Sequence, residues 1–256
     1  MRLDLRGVTL ARGERTLLHD VTLALDGGVV ALLGPNGVGK TTLLRAMAGA
    51  FAPSAGTIRL DGIDVRELEP RARARRIALV EPSEPVLAAL TVEDAVASAR
   101  FPHHRWFEWE PTADDAAAID EALERTALSA FRSREIGTLS AGERQRVWIA
   151  LAIAQRASVV LFDEPTSHLD LRASVETLHL VRELAAGGAL VVAVLHQLEE
   201  AAVFADRVVV LGCGGVLADG TPSDALTASA IERAYGVAVS VEQRPDGLAF
   251  HRRLRS

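Results

Sequence analysis

The chain has 256 residues, 49% of them hydrophobic, with 28 basic against 34 acidic side chains and a formal net charge of -6. That composition supplies a full apolar core and excludes a disordered chain, a disulfide scaffold built on the single Cys213 and, through its acidity, a general nucleic-acid coat. The longest unbroken apolar run, Val147 to Ala154, falls far short of the about 20 residues a membrane-spanning helix needs, and the Met1-Arg2-Leu3-Asp4 start is not expected to be an apolar leader.

In chain order, Leu3 to Leu10 and Thr22 to Leu25 alternate apolar and polar side chains, which predicts short strands of an antiparallel edge. Val29 to Leu33 is an apolar run of the buried-strand type. It enters Gly34-Pro35-Asn36-Gly37-Val38-Gly39-Lys40-Thr41-Thr42, and helix-forming residues follow from Leu43 to Ala48. A glycine loop between a strand and a helix lets successive backbone N–H groups face inward without Cβ obstruction, so an anion nest forms at a helix N-terminus. Phosphate is the expected guest, with the Thr41 hydroxyl as a ligand of Mg²⁺. Lys40 is the only lysine among the 28 basic residues, as expected where a compact ammonium must neutralise β- and γ-phosphates and a guanidinium fork cannot substitute. By average composition, the spacing G-x-x-x-x-G-K-[ST] arises by chance in roughly 1% of chains this long.

Arg71 to Arg76 reads as a basic helix face, either solvated or in contact, ahead of a strand at Ile77 to Val80. Thr91 to Ala99, Asp114 to Thr126 and Ser140 to Gln155 are expected as helices from their periodicity and caps. The segment Arg100 to Pro111 interrupts them and carries Trp106, Phe107 and Trp109. Its His103 and His104 have no third ligand at a metal-binding spacing. Val159 to Phe162 then ends in Asp163-Glu164, two carboxylates at a strand's C-terminal edge, where open α/β sheets bind ligands. Asp163 is assigned to Mg²⁺ and Glu164 to the attacking water; the plainer reading is two acids capping the next helix. A third strand, Leu190 to Leu195, delivers His196, a candidate sensor of the γ-phosphate that on its own also reads as a satisfied structural histidine.

Between the glycine loop and the acidic pair stands Leu139-Ser140-Ala141-Gly142-Glu143-Arg144-Gln145-Arg146, opening an apolar helix; it resembles the signature motif of ATP-binding cassette (ABC) ATPases. The family's other elements follow in order: Asp163-Glu164-Pro165-Thr166 resembles its Walker B motif, Ser167-His168-Leu169-Asp170 its D-loop and His196 its switch histidine. The resemblance implies an α/β P-loop NTPase of the ABC ATPase fold, with a mixed core sheet, an antiparallel β edge and an inserted helical subdomain. Residues 1–82 and 158–240 would form the catalytic core, 83–157 the helical subdomain and 241–256 a C-terminal tail, with Arg252 to Arg255 as frayed surface. It further implies that Ser140, Ala141, Gly142 and Glu143, with Asp170, serve ATP held by a second copy of the chain, so that a homodimer encloses the nucleotides. Ser140 as N-cap of its helix, with small residues after it, suits a second phosphate site.

A finer resemblance, to ATPase subunits of importers for iron chelates, haem and cobalamin, rests on Arg100-Phe101-Pro102-His103, Val194-Leu195-His196-Gln197-Leu198 and Gly220-Thr221-Pro222. It implies membrane-spanning permease subunits as partners, indirectly a substrate-binding protein, no nucleic acid, and a place on the cytoplasmic face of the cell membrane. The aromatic segment at Trp106 then reads as core packing or as a permease contact. Three positions depart from the family. Pro82 occupies the place of a glutamine that touches Mg²⁺ or the attacking water, with Glu81 or Glu84 as substitutes. Arg12 stands where an aromatic residue usually stacks on adenine, and its guanidinium plane can stack on a base or lie exposed. Glu143 replaces the commoner signature glutamine. Two other readings stay open: a soluble ATP-gated clamp, and a regulatory module that binds ATP but hydrolyses it poorly.

Overall fold

A computed structural model describes residues 1–81, 88–104, 112–244 and 247–252. The first two strands, β1 (Leu3–Arg12) and β2 (Arg15–Leu25), pair antiparallel and alternate their apolar residues onto one face, with Leu3, Leu5, Val8 and Leu10 fully buried. Both run further than alternation predicts. β2 begins at Arg15 because its first residues are held by the ladder, Thr16 opposite Ala11, and the register shifts along β1 break the simple alternation there. After β3 (Val29–Leu33) and helix α1 (Lys40–Met47), β4 (Ala55–Leu60) and β5 (Ile63–Asp64) complete a four-stranded sheet in the order β2-β1-β4-β5.

Helix α2 (Pro70–Ala74) leads into β6 (Ile77–Val80). Helices α3 (Val92–Ser98), α4 (Ala113–Arg125) and α5 (Ala141–Gln155) follow, each starting within a residue or two of its expected cap, and the chain then returns to β7 (Val159–Asp163). Helix α6 (Leu171–Ala186), β8 (Leu190–Val194), α7 (Leu198–Phe204), β9 (Arg207–Gly212) and β10 (Gly215–Gly220) finish a second sheet in the order β10-β9-β3-β8-β7-β6. Its strands run parallel except β10, so β3, β7 and β8 end on one edge. Their apolar runs are unbroken because both faces are covered. In β3 the alternation divides between two cores. Val29, Ala31 and Leu33 pack with the helices α3 to α7, whereas Val30 and Leu32 pack with α1 and the antiparallel sheet.

Arg100 explains why the Arg100-Phe101-Pro102-His103 stretch interrupts the helices. Its side chain is buried at 3% exposure and donates to Asp115 (2.8 Å), Asp114 (2.7 Å) and the Ala154 carbonyl (2.9 Å), while His103 Nε2 lies 2.9 Å from the Gln155 carbonyl. The end of α3, the start of α4 and the end of α5 are thereby joined through one guanidinium, whose fork geometry suits several acceptors at once. Burial opposes the Asp115 carboxylate, but hydrogen bonds from Thr112 and Arg100 outweigh it and hold its carboxyl far below the usual range. The basic face at Arg71 is in contact rather than only solvated: its guanidinium lies over the Phe101 ring at 5.2 Å and donates to the His104 carbonyl.

Beyond helices α8 (Pro222–Ala225) and α9 (Ala228–Tyr235), residues expected in part as a C-terminal tail form a hairpin, β11 (Val239–Arg244) and β12 (Gly247–Arg252). Leu248 and Phe250 of β12 pack on the helical side of the large core, a contact distant in sequence that a four-residue apolar pattern does not announce. Pro82, Glu84, Trp106, Phe107, Trp109 and the last four residues lie outside the described residues. Arg100→Ala should destabilise the fold by about 3 kcal/mol, because it takes from the buried Asp115 carboxylate its guanidinium partner. Urea denaturation followed by circular dichroism measures this, and a loss under about 0.5 kcal/mol, the range of ordinary surface changes, would refute the account.

Candidate active site

The loop after β3 owes its shape to its glycines. Gly34 has φ 150° and packs so closely on β9 that a Cβ there would sit 2.5 Å from the Leu211 carbonyl oxygen. Gly39, at φ 114°, is the N-cap of α1 and leaves the first-turn N–H groups without a side-chain cap, so they remain available to an anion. Pro35 is half-buried, Asn36 and Gly37 are exposed, and Val38 turns into the core under β2. Lys40 is buried, and its ammonium donates to the carbonyls of Gly34 (2.7 Å) and Pro35 (3.2 Å), closing the loop around itself. Burial pushes the Lys40 ammonium down, against the opposing pull of the Glu164 and Asp163 carboxylates.

The loops after β3 and β7 meet at Thr41, whose hydroxyl donates to Asp163 Oδ1 at 3.1 Å; Thr42, next on α1, is half-buried. Burial raises the Asp163 carboxyl, the Thr41 hydrogen bond lowers it, and the Glu164 and Glu81 carboxylates raise it again, for a net upward shift. An under-neutralised carboxylate beside a hydroxyl at a phosphate-type loop is a donor set that fits a hard, oxygen-preferring divalent cation. Glu81 itself is ion-paired with Arg45 of α1 at 2.6 Å.

Glu164 has φ 53°, a left-handed conformation that costs a non-glycine residue about 1 kcal/mol and occurs where the surrounding structure imposes it. Both of its carboxylate oxygens are engaged: Oε1 lies 2.6 Å from His196 Nε2, and Oε2 accepts from the Ser167 hydroxyl at 2.9 Å. Burial works against the carboxylate, yet these two partners and the charge of Lys40 prevail and lower the Glu164 carboxyl. An anion nest, a cation-suited carboxylate and a carboxylate–imidazole pair therefore share one sheet edge. That set can bind phosphates and handle the proton of a nucleophile.

The remaining candidates lie elsewhere. Ser140 caps α5 by accepting from Glu143 N–H (3.3 Å), while Glu143 accepts from Ser140 N–H (2.7 Å), a reciprocal capping box. Glu143 thus has a local partner that the S-x-x-E spacing makes legible. Ala141 and Gly142 sit at the head of α5, in a depression shared with Asp170 and Arg172, and Ala141 also lines the cleft beside Asp163 and Glu164. Asp170 caps α6, accepting from Ala173 N–H at 2.8 Å. Arg12 lies exposed at the tip of the β1–β2 hairpin. Between α5 and the acidic pair runs a cleft of about 770 Å³, with Arg144, Gln145 and Trp148 on one wall and Asp163, Glu164 and Ser167 on the other. Ser167 as a partner of Glu164, Arg45 as a partner of Glu81, and a bond between Thr166 and Glu200 carried no sequence signal of their own, because each joins side chains by the path of a loop or across distant elements.

The pattern of the family described as ABC transporter matches residues 18–167. The cobalamin import ATP-binding protein BtuD of Halobacterium salinarum is 41% identical over 247 residues, which cover 96% of this chain and 61% of that protein. The chain therefore spans less than two thirds of that relative's length. The ferric enterobactin transport ATP-binding protein FepC of Escherichia coli K12 is 36% identical over 94% of this chain and 90% of its own. Among solved structures, an inward-facing putative metal-chelate type ABC transporter matches 99% of this chain and 97% of its own with TM-score 0.82 and 26% identity. A dimeric bacterial ABC transporter cassette matches 86% and 98% with TM-score 0.75 and 27% identity.

Asp163→Asn keeps an acceptor for Thr41 and removes the carboxylate whose ionisation the fold disfavours. A carboxyl raised in the folded state subtracts stability as pH climbs from its unfolded to its folded value, and the loss persists above it. The variant should therefore melt higher than the wild type at pH 8, with the difference vanishing as pH falls below the unfolded carboxyl's value of about 3.9. Scanning fluorimetry across that range checks the sign, and a variant that melts lower at pH 8 would contradict it.

Proposed function

The chain belongs to the ABC transporter family, and from that premise we propose that it is the ATP-hydrolysing subunit of an importer, with an iron chelate, haem or cobalamin as cargo class. The observation that carries the reading is the convergence of Lys40, Thr41, Asp163, Glu164 and His196 on one sheet edge, with hydrogen bonds tying the loops of three strands together. The cargo class rests on what the relatives' names say they transport, haem on that of a hemin import ATP-binding protein of Rhodococcus jostii.

In this reading ATP lays its phosphates in the Gly34–Thr42 loop, and Lys40 exchanges the Gly34 and Pro35 carbonyls for β- and γ-phosphate oxygens. Glu164 orients water for in-line attack on the γ-phosphorus and takes up its proton. His196 turns from Glu164 to donate to the γ-phosphate, freeing a carboxylate oxygen for the water. The Thr41 hydroxyl and Asp163 would hold Mg²⁺, which supplies neutralisation of the charge between the β- and γ-phosphates. The capped head of α5, Ser140 to Glu143, serves the nucleotide of a second copy, because in its own chain it stands in a different depression from the phosphate loop.

The homodimer then closes on ATP and moves permease subunits at the cytoplasmic face of the membrane, with a substrate-binding protein as an indirect partner. No helix among the described residues is long and apolar enough to cross a membrane, in keeping with work done through partners. In this reading Arg12, exposed at the hairpin tip, stacks on the base. Importer relatives that cover nearly the whole chain favour this reading over a soluble clamp.

Glu164→Gln should slow ATP turnover by about 10²- to 10⁴-fold, the usual worth of a positioned base, while retaining ATP. Phosphate release beside size-exclusion chromatography in ATP and Mg²⁺ should show an active wild type and a stalled, dimeric variant. A wild type that binds ATP with neither turnover nor dimerisation would instead favour the regulatory module.

A further inference from the structure

Glu164 and His196 come from the ends of neighbouring strands, β7 and β8, where Asp163 pairs with Val194. Neither side chain is locked by burial, since each is more than a third exposed. Their 2.6 Å contact therefore depends on how the loop after β7 is placed against the loop after β8.

A second bond ties those same loops together. Thr166, two residues beyond Glu164, donates its hydroxyl to Glu200 Oε2 at 2.9 Å. Glu200 lies in the first turn of α7, the helix that begins just after His196 and whose N-cap, Gln197, makes no side-chain capping bond. The Thr166 hydroxyl thus anchors a helix start that its own cap leaves unanchored. On the other side, the Ser167 N–H donates to the Glu164 carbonyl at 3.1 Å, so the turn that carries Thr166 is the turn that fixes Glu164 in its left-handed conformation. Glu200 is half-buried; burial pushes its carboxyl up, against the Thr166 hydrogen bond and the nearby His196.

We propose that Thr166 and Glu200 form a positioning pair that sets the distance and orientation between Glu164 and His196 without touching the nucleotide. The bond acts on the reacting groups through the two loops: it holds the Glu164 turn against the head of α7, so the carboxylate and imidazole start from one fixed arrangement before His196 turns to the phosphate. Only the acceptor oxygen of Glu200 is required, and its charge is not.

The inference rests on the ATPase reading and is tested with the full chain. Steady-state ATP hydrolysis is measured for the wild type, Thr166→Val, Glu200→Ala and their double variant, beside the conservative Thr166→Ser and Glu200→Gln. Losing one hydrogen bond to a charged or half-buried acceptor should lower kcat about tenfold in Thr166→Val and in Glu200→Ala, with KM for ATP within about twofold. The double variant should be no slower than either single one, because both remove the same bond. Thr166→Ser keeps the hydroxyl and Glu200→Gln keeps an acceptor oxygen, so both should hydrolyse ATP within about twofold of the wild type. Binding of a fluorescent ATP analogue should be unchanged throughout, which separates misplacement from misfolding.

Unaltered kcat in Thr166→Val or Glu200→Ala, losses that multiply in the double variant, or a conservative variant as slow as the severe one would each overturn the inference. So would a KM that rises as far as kcat falls. A wild type without turnover sinks the ATPase reading and this inference with it, whereas an active wild type with indifferent variants sinks this inference alone.

Discussion

Five apolar residues without a polar break, Leu190–Val194, satisfy their surroundings only in the middle of a sheet covered on both faces, and the rest of the site follows from where that places β8. It lies between β3 and β7, parallel to both, so three loops leave the same edge side by side. The phosphate-type loop, the acidic pair and His196 meet there because of strand order alone. No long excursion of chain is needed to bring them together, and short loops off a buried scaffold keep their geometry.

Charge is arranged at that edge with little to spare. One buried ammonium faces Asp163 and Glu164, and a third carboxylate, Glu81, acts on Asp163 while its own pair with Arg45 offsets it. The two acids respond in opposite directions although they are sequence neighbours. Asp163 has a single hydroxyl donor and is raised, whereas Glu164 has two donors and is lowered. Local partners and burial, not position in the chain, set the two directions.

The placement of Gly34 to Thr42, Asp163, Glu164 and His196 was legible because each lies at a strand end marked by an apolar run, and the spacing within each motif is local. Arg100 shows the opposite case. As a motif residue it read only as a mark of resemblance; that it is buried and binds Asp114, Asp115 and Ala154 follows from helices that meet only in three dimensions. The closing hairpin was missed for the same reason, since Leu248 and Phe250 find their partners on elements far back in the chain. Thr166 stood only within the Walker B resemblance and Glu200 in no motif, and only the parallel pairing of β7 with β8 makes them neighbours. Glu143 differs: its reciprocal cap with Ser140 is written in the S-x-x-E spacing itself.

The Arg100 cluster also gives the helical insertion a mechanical character. Helix α5 has 15 residues, so it is a rod about 22 Å long. Its far end is gripped by Arg100 at the Ala154 carbonyl and by His103 at Gln155, and its near end carries Ser140 and Gly142. Phe101, next to the grip, presents 57% of its surface to the outside, with Arg71 laid across its ring. Phe101 and the head of α5 therefore stand at opposite ends of one rod, tied down at its C-terminal end by a buried guanidinium.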